Sequence, residues 1–338
     1  MSTVTLPQRL AAWKHAWQTT NLPESGVVDG VTRWLVVTRA GVLPMTLISG
    51  IVAALLAWAA AVTVDWFNVT LAVVGIVLAH LANNLMNDLS DTDAGADTAD
   101  YPRALYAPHP ILSGLVTRRQ LVTGILLCQV ACLAIMITLI VRVDWWIAFF
   151  ALVGLFLSYA YTAPPLRLKK IGLGELDVLL VWGPLMVGGV YYAGVGSVSW
   201  QVLAAATVYA LLPTTVLMGK HIDKLPYDAP AGTRTLPVLL GEPRAKRATQ
   251  VMMVGYYAGI VALVAVQAIG WPALLTLGAL PLLVRSVRQF SRPTPSEPPA
   301  DYPVWPLWWA PIAFVHTRRA GGLLLVGLFA WALWATIR

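Results

Sequence analysis

The stretch GVLPMTLISGIVAALLAWAAAVT, residues 41–63, runs for 23 residues without a charged side chain. A helix of this length rises about 35 Å, more than the roughly 30 Å hydrocarbon core of a lipid bilayer. A soluble protein would have to bury every face of such a helix. The sequence therefore predicts a membrane-spanning helix here, with lipid as its solvent.

The rest of the chain follows the same pattern. Of its 338 residues, 58% are hydrophobic and 12% are charged, about half the charged fraction of a soluble domain. Further apolar stretches between turn signals lie near 68–86, 121–141, 145–162, 175–194, 199–218, 249–269, 272–284 and 321–337. We predict an all-α, polytopic membrane bundle of about nine transmembrane helices. The stretch PLWWAPIAFV (306–315) is predicted to be an interfacial segment.

The residues before the first span predict a separate amino-terminal segment, 1–40, ahead of one transmembrane domain, 41–338. No cleavable signal peptide is expected, because basic residues precede every long apolar run. Within this segment Leu10, Trp13 and Trp17 recur at helical spacing, which suits a helix in the headgroup layer. A disordered leader is the open alternative.

The basic residues indicate how the bundle is oriented. With nine crossings, all 23 Lys and Arg residues except Arg142 and Arg338 lie on one side. By the positive-inside rule, this side is cytoplasmic. We predict a multi-pass protein of the plasma membrane whose amino terminus and long loops face the cytoplasm. The net charge of +7 is thus a topology signal, and nucleic-acid binding is not expected.

The connection after the second span reads NNLMNDLSDTDAGAD. On a continued helix Asn84, Asp88 and Asp91 stand at i, i+4 and i+7 and share one face. Their oxygens suit a hard cation, and Gly95 would let Asp97 return to the same site. Mg²⁺ usually takes one or two carboxylates together with substrate phosphates, so the pattern indicates a phosphorylated substrate. A solvated acidic helix end is the alternative.

A second mixed cluster follows the sixth span, in MGKHIDKLPYDAPAGTRTLPVLLG. Asp223 and Asp228 can ligate a second metal ion, while Lys220, His221 and Arg234 can contact phosphate oxygens. The cations could instead anchor the helices at the membrane surface, and His221 could have an ordinary structural role.

Taken together, these motifs resemble the UbiA superfamily of intramembrane aromatic prenyltransferases. The dihydroxynaphthoate branch, which makes menaquinone precursors, carries a motif like NDxxDxxxGxD, matched here by Asn87, Asp88, Asp91, Gly95 and Asp97. Three further segments look like that branch: RAGVLP, YTAPPLRLKKIGLGEL and AGTRTLPVLLG.

Two positions depart from the family pattern. Asp223 and Asp228 are five residues apart rather than four, and His109 precedes Pro110 where many relatives have Arg. These departures leave open which acceptor is used.

The resemblance implies a helical bundle with a cytoplasm-facing cavity, a prenyl pyrophosphate, a small aromatic acceptor, and Mg²⁺ as cofactor. The expected metal ligands are Asn84, Asp88, Asp91, Asp97, Asp223 and Asp228, with Asp88, Asp91, Asp223 and Asp228 as the catalytic carboxylates. The expected substrate-binding residues are Asn84, Asn87, Arg39, Arg103, His109, Arg167, Lys169, Lys220, His221, Arg234, Tyr159 and Tyr191. Five aromatic residues are candidates to stabilise an allylic cation, or serve only in packing and at the interface: Tyr159, Tyr161, Trp182, Tyr191 and Tyr192.

Two other functions would use the same acidic residues. A terpene cyclase on the same scaffold would ionise the same substrate without needing an acceptor. An ion-coupled transporter would require carboxylates near the bilayer midplane, whereas these acids lie at span ends.

Overall fold

The computed structural model describes residues 4–60, 63–93, 95, 107–300, 302 and 304–337, and its regular structure there is helical. Within these described residues, twelve helices follow one another. They are α1 (Leu6–Thr19), α2 (Gly30–Val37), α3 (Leu43–Ala59), α4 (Trp66–Asp93), α5 (Arg118–Arg142), α6 (Trp146–Thr162), α7 (Gly174–Val195), α8 (Trp200–Asp228), α9 (Leu236–Leu240), α10 (Glu242–Ala265), α11 (Trp271–Phe290) and α12 (Trp309–Ile337).

These helices confirm the all-α membrane bundle. Within the described residues, eight helices are long and apolar enough to cross a membrane, and α6 is apolar but shorter. The segment at 306–315 forms no span of its own, as predicted, and its position at the membrane interface stays a prediction. From Trp309 onward its residues form the first turns of α12. The physical reason is a side chain of α8, described below, that satisfies the backbone N–H groups at the start of α12.

The bundle has a protein-buried centre and a lipid-facing surface. Helices α3 and α8 pack against each other and against α7 and α12. In α3, 72% of the most apolar window is buried inside the protein, whereas in α5 the share is 11%. Since α5 exposes Leu127, Val130 and Val141, lipid is the solvent for that face.

One end of the bundle is closed by short turns and polar contacts. The backbone N–H of Asp65 donates to the Gly194 carbonyl at 2.9 Å, and Arg142 pairs with the Asp65 carboxylate at 3.0 Å. The Tyr192 hydroxyl donates to Asp144 at 2.6 Å. The described parts of the predicted functional loops lie at the other end, where Asp88 pairs with Arg39 and Asp91 pairs with Lys169.

The amino-terminal residues fold onto that functional end. The predicted helix is present as α1 in place of a disordered leader, and its position in the headgroup layer stays a prediction. The Trp13 indole N–H lies 3.0 Å from both carboxylate oxygens of Asp29, and Asp29 also caps α2 by accepting the Thr32 N–H at 2.8 Å. Sequence reasoning did not anticipate α2.

Candidate active site at one end of the bundle

The first acidic motif lies in the last turns of α4, which continues past the predicted span. Asp88 is fully buried, and its carboxylate pairs with the Arg39 guanidinium. The Asn84 side-chain N–H donates to the Thr38 carbonyl at 3.0 Å. Asn84 and Asp88 thus lie on the protein-facing side of α4, in contact with the segment that joins α2 to α3.

Asp91 lies one turn further along and contacts the segment between α6 and α7, residues 163–173, which we call the basic loop. The Lys169 ammonium donates to the two Asp91 oxygens at 2.8 and 2.6 Å. Burial lowers the pKa of Lys169, and the Asp91 charge opposes that shift. Asn87 accepts a hydrogen bond from the Thr162 hydroxyl just before this loop.

In the second motif, the two aspartates are used differently. Both oxygens of Asp223 accept backbone N–H groups of α12, from Trp309 at 2.8 Å and from Ala310 at 2.9 Å. One turn earlier, a Cβ on Gly219 would lie 2.7 Å from the Trp309 backbone, so only glycine allows this close approach. Asp223 is therefore a helix cap, and this geometry does not support the metal-binding role that the spacing predicted.

Asp228 ends α8 and is 2% exposed. Its carbonyl accepts the Thr233 N–H at 2.9 Å, and the next residue, Arg234, donates its backbone N–H to the Lys170 carbonyl at 3.1 Å. The second motif and the basic loop are thus hydrogen-bonded neighbours.

The oxygen donors of the first motif suit Mg²⁺. Asn84, Asp88 and Asp91 offer amide and carboxylate oxygens, the ligand type this ion prefers. Across the part of the chain that the structure describes, no three acidic or histidine side chains converge as a metal-binding group. One or two carboxylates with substrate phosphates are enough for Mg²⁺, so the donor set fits.

The other predicted polar residues surround this end. His109 is 2% exposed, and its Nδ1 accepts the backbone N–H groups of Ile111 and Leu112 at 3.3 Å, which is a structural role. Arg167 and Lys220 are half-buried and Arg234 is exposed. Two further predicted residues, Asp97 and Arg103, lie outside the described residues.

Two of the five predicted aromatic residues, Tyr159 and Tyr191, lie outside the site. The Tyr159 side chain is 50% exposed on the outer surface of α6. Tyr191 is buried, but it lies 16 residues along α7 from Glu175, or about 24 Å toward the closed end. Tyr161 is buried instead, and its ring lies 5.9 Å from the Lys169 ammonium.

A buried polar cluster lies next to Asp91, and the sequence predicted only part of it: His221 and Trp182 were candidates, whereas Glu175 and His80 were not. His221 Nδ1 lies 2.7 Å from a Glu175 oxygen, and both residues are 4% exposed. The His80 and Trp182 rings meet edge to face at 5.2 Å. The available signal was the pair of acids in GELDV at the start of an apolar span, where an ionisable residue is by default a functional candidate.

A helical membrane bundle with carboxylates, cations and buried aromatic rings at one end defines a class of intramembrane enzyme. Such a site can hold a charged headgroup while an apolar tail stays in the bilayer.

The chain belongs to the UbiA prenyltransferase family, whose model matches residues 46–310, and it is a prenyltransferase. It is 30% identical over 213 residues to the 2-carboxy-1,4-naphthoquinone phytyltransferase of Synechocystis, covering 61% of this chain and 65% of that one. It is 29% identical to the 1,4-dihydroxy-2-naphthoate octaprenyltransferase of Escherichia coli K12, covering 77% and 85%.

Solved structures share the fold. A UbiA homolog from Aeropyrum pernix K1 superposes with a TM-score of 0.60 at 16% identity, covering 86% of this chain and 96% of that one. A UbiA homolog from Archaeoglobus fulgidus, bound to GPP and Mg²⁺, superposes with a TM-score of 0.54 at 15% identity, covering 86% and 99%.

Proposed function

We propose that this chain transfers the prenyl group of a prenyl pyrophosphate to a dihydroxynaphthoate-type acceptor within the membrane, with Mg²⁺ as cofactor. The observation that carries the proposal is the buried face of α4, where Asp88 and Asp91 meet Arg39 and Lys169. The names of the curated relatives support a naphthoate acceptor.

Asn84, Asp88, Asp91 and Asp228 are the residues that would hold the magnesium ion. When bound, Mg²⁺ neutralises the pyrophosphate that leaves. The remaining predicted ligand, Asp97, stays a prediction.

Arg39 and Lys169 bring positive charge to the same place. Each contacts an α4 carboxylate. A phosphate bound through a metal ion on that carboxylate would therefore lie beside the cation. A guanidinium can bind two phosphate oxygens at once, and an ammonium acts as a point charge. Both therefore stabilise the charge that builds up on the leaving group.

Departure of pyrophosphate leaves an allylic cation, and the aromatic rings beside Lys169 and His80 are placed to face it. Tyr161 and Trp182 are two of the five aromatic candidates that the sequence offered for this role, and their burial beside these groups supports them over Tyr159 and Tyr191. Each such ring stabilises a cation by about 0.5–2 kcal/mol.

The test compares three variants of one helix. We expect Asp88→Asn and Asp91→Asn to lower kcat about 100-fold or more, because each removes a carboxylate that would hold the Mg²⁺ at the leaving group. Asp93→Asn is the matched control, since Asp93 lies on the same helix but forms an exposed ion pair with Arg118. The measurement is prenylated product formed by purified protein in Mg²⁺, with thermal unfolding as the check on folding.

Native turnover in folded Asp88→Asn or Asp91→Asn protein would contradict the proposal. The same assay without an acceptor tests the cyclase alternative, because hydrocarbon or alcohol products formed at the full rate would favour cyclisation.

A further inference from the structure

The cluster around Glu175 contains polar atoms that the protein leaves unused. Glu175 Oε1 contacts His221, whereas the buried Oε2 has no hydrogen-bond partner among the described residues. The buried indole N–H of Trp182 likewise has no acceptor there. Leaving a buried donor or acceptor unpaired is unfavourable, above all for a charged group, so two such atoms in one place indicate a ligand.

The two unused atoms lie on one face of α7. Glu175, Val178 and Trp182 stand at i, i+3 and i+7, which brings them to the same side of a helix. Opposite them, Leu217 and His221 stand at i and i+4 on α8. One hydrophobic cluster consists of Tyr161, Val178, Trp182 and Leu217. Its apolar, partly aromatic wall separates the acceptor, Glu175 Oε2, from the donor, the Trp182 N–H.

The backbone of α7 is adapted at this point. Residues Val181–Leu185 form a π-turn that contains Pro184, and such turns are frequent at functional sites. A Cβ on Gly183 would lie 2.7 Å from the Ala206 carbonyl, so α7 and α8 touch beside Trp182. This contact fixes the position of the indole.

The cluster also borders the proposed pyrophosphate site. Tyr161 interacts electrostatically with Glu175 on one side and with Asp91 and Arg39 on the other. A Cβ on Gly174 would lie 3.2 Å from the Tyr161 ring and 3.1 Å from the Lys169 backbone. A ligand against Glu175 is therefore a neighbour of a ligand held at Asp91 and Lys169.

We propose that Glu175 and Trp182 form the subsite for the aromatic acceptor, with Glu175 Oε2 accepting a hydrogen bond from a ring hydroxyl and the Trp182 N–H donating to a second ring oxygen. This inference rests on the proposed function and deepens it. A prenyl tail has no group that could donate to a carboxylate, and the pyrophosphate would be repelled by Glu175. A planar aromatic ring with a hydroxyl group and a second oxygen satisfies both polar atoms and packs against the apolar wall between them.

The experiment combines a change in the protein with a change in the ligand. Purified full-length protein is titrated calorimetrically with 1,4-dihydroxy-2-naphthoate and with its mono-O-methyl ethers, which cannot donate from the methylated oxygen. For native protein we expect one of the ethers to bind about 10- to 100-fold more weakly than the diol, the range for a hydrogen bond to a charged group. In Glu175→Gln protein, the diol should weaken by a similar factor and the methylation penalty should largely disappear.

Trp182→Phe is a second, milder variant, because it keeps an aromatic ring and removes only the N–H. We expect it to weaken diol binding about two- to tenfold while leaving the methylation penalty intact. In Glu175→Gln protein the KM for the prenyl pyrophosphate should stay at its native value. Asp144→Asn, which removes a carboxylate at the closed end of the bundle, is the control and should change none of these quantities.

A methylation penalty of equal size in native and Glu175→Gln protein would overturn the subsite. So would equal increases in KM for acceptor and prenyl pyrophosphate, because they would indicate a merely structural role. If either of these results is found while native protein forms prenylated product from the diol, only the subsite is wrong. If native protein with Mg²⁺ and prenyl pyrophosphate never prenylates the diol, the proposed function fails and the subsite with it.

Discussion

Asp223 and Asp228 show how two carboxylates five residues apart on one helix can serve different ends. Asp223 faces the start of α12 and has both oxygens on backbone N–H groups, where the positive end of the helix dipole also favours a negative charge. Asp228 lies a turn further on, beside the loop that is hydrogen-bonded to Lys170. Their separation, one residue longer than the family pattern, is consistent with this division.

The division predicts different failures for the two aspartates. Asp223→Ala should lower the melting temperature, since losing a helix cap costs about 0.5–2 kcal/mol, and should leave the Mg²⁺ concentration for half-maximal activity unchanged. Asp228→Ala should raise that Mg²⁺ concentration at an unchanged melting temperature. Thermal unfolding and a Mg²⁺ titration of activity measure the two effects. A large rise in the Mg²⁺ requirement of folded Asp223→Ala protein would restore Asp223 as a ligand.

At the scale of elements, α1 and α2 are held together by one carboxylate. Asp29 accepts from Trp13 of α1 and from the backbone of Thr32 in α2. The backbone hydrogen bond from Thr32 is the main cause of a lowered Asp29 pKa, and burial acts against it. A carboxylate whose pKa is lower in the folded state stabilises that state above its ordinary pKa.

This linkage predicts acid release of α1. The stabilisation is present above pH 3.8, the ordinary pKa of Asp29, and is lost as the pH falls through the lower folded value. A nitroxide label at position 10, in protein lacking Cys128 and Cys132, should therefore become more mobile in that acid range. Asp29→Ala protein should show the mobile spectrum at neutral pH. Identical spectra for both proteins at all pH values would contradict the linkage.

At the scale of the molecule, the described residues of the candidate site lie at one end of the bundle. Short turns close the other end, so a substrate with a charged headgroup can be held only where the long loops lie. Because nearly all Lys and Arg residues flank that end, we propose that it faces the cytoplasm.

The orientation is tested by labelling single cysteines in intact cells. After Cys128 and Cys132 are replaced by alanine, a cysteine at position 197, in the turn between α7 and α8, should react with a membrane-impermeant maleimide. A cysteine at position 295, in the loop between α11 and α12, should react only after the membrane is permeabilised. The reverse pattern would invert the proposed topology.

The amino-acid sequence was enough to predict the class of fold, the apolar spans and the continuous helical face that carries Asn84, Asp88 and Asp91. Charge-free runs of this length have one stable environment, and residues at i, i+4 and i+7 share a face wherever a helix continues. The hydrogen-bond partners of Asp223 could be identified only from the folded structure, because they lie 86 and 87 residues further along the chain, on α12. The folded structure also decided which aromatic rings lie inside, since periodicity in an apolar helix does not distinguish a lipid-facing tyrosine such as Tyr159 from a protein-facing one such as Tyr161. The apolar stretch that begins at residue 41 contains the central helix α3 for the same reason. Lipid and protein interiors are equally apolar, so packing alone decides which one a helix meets.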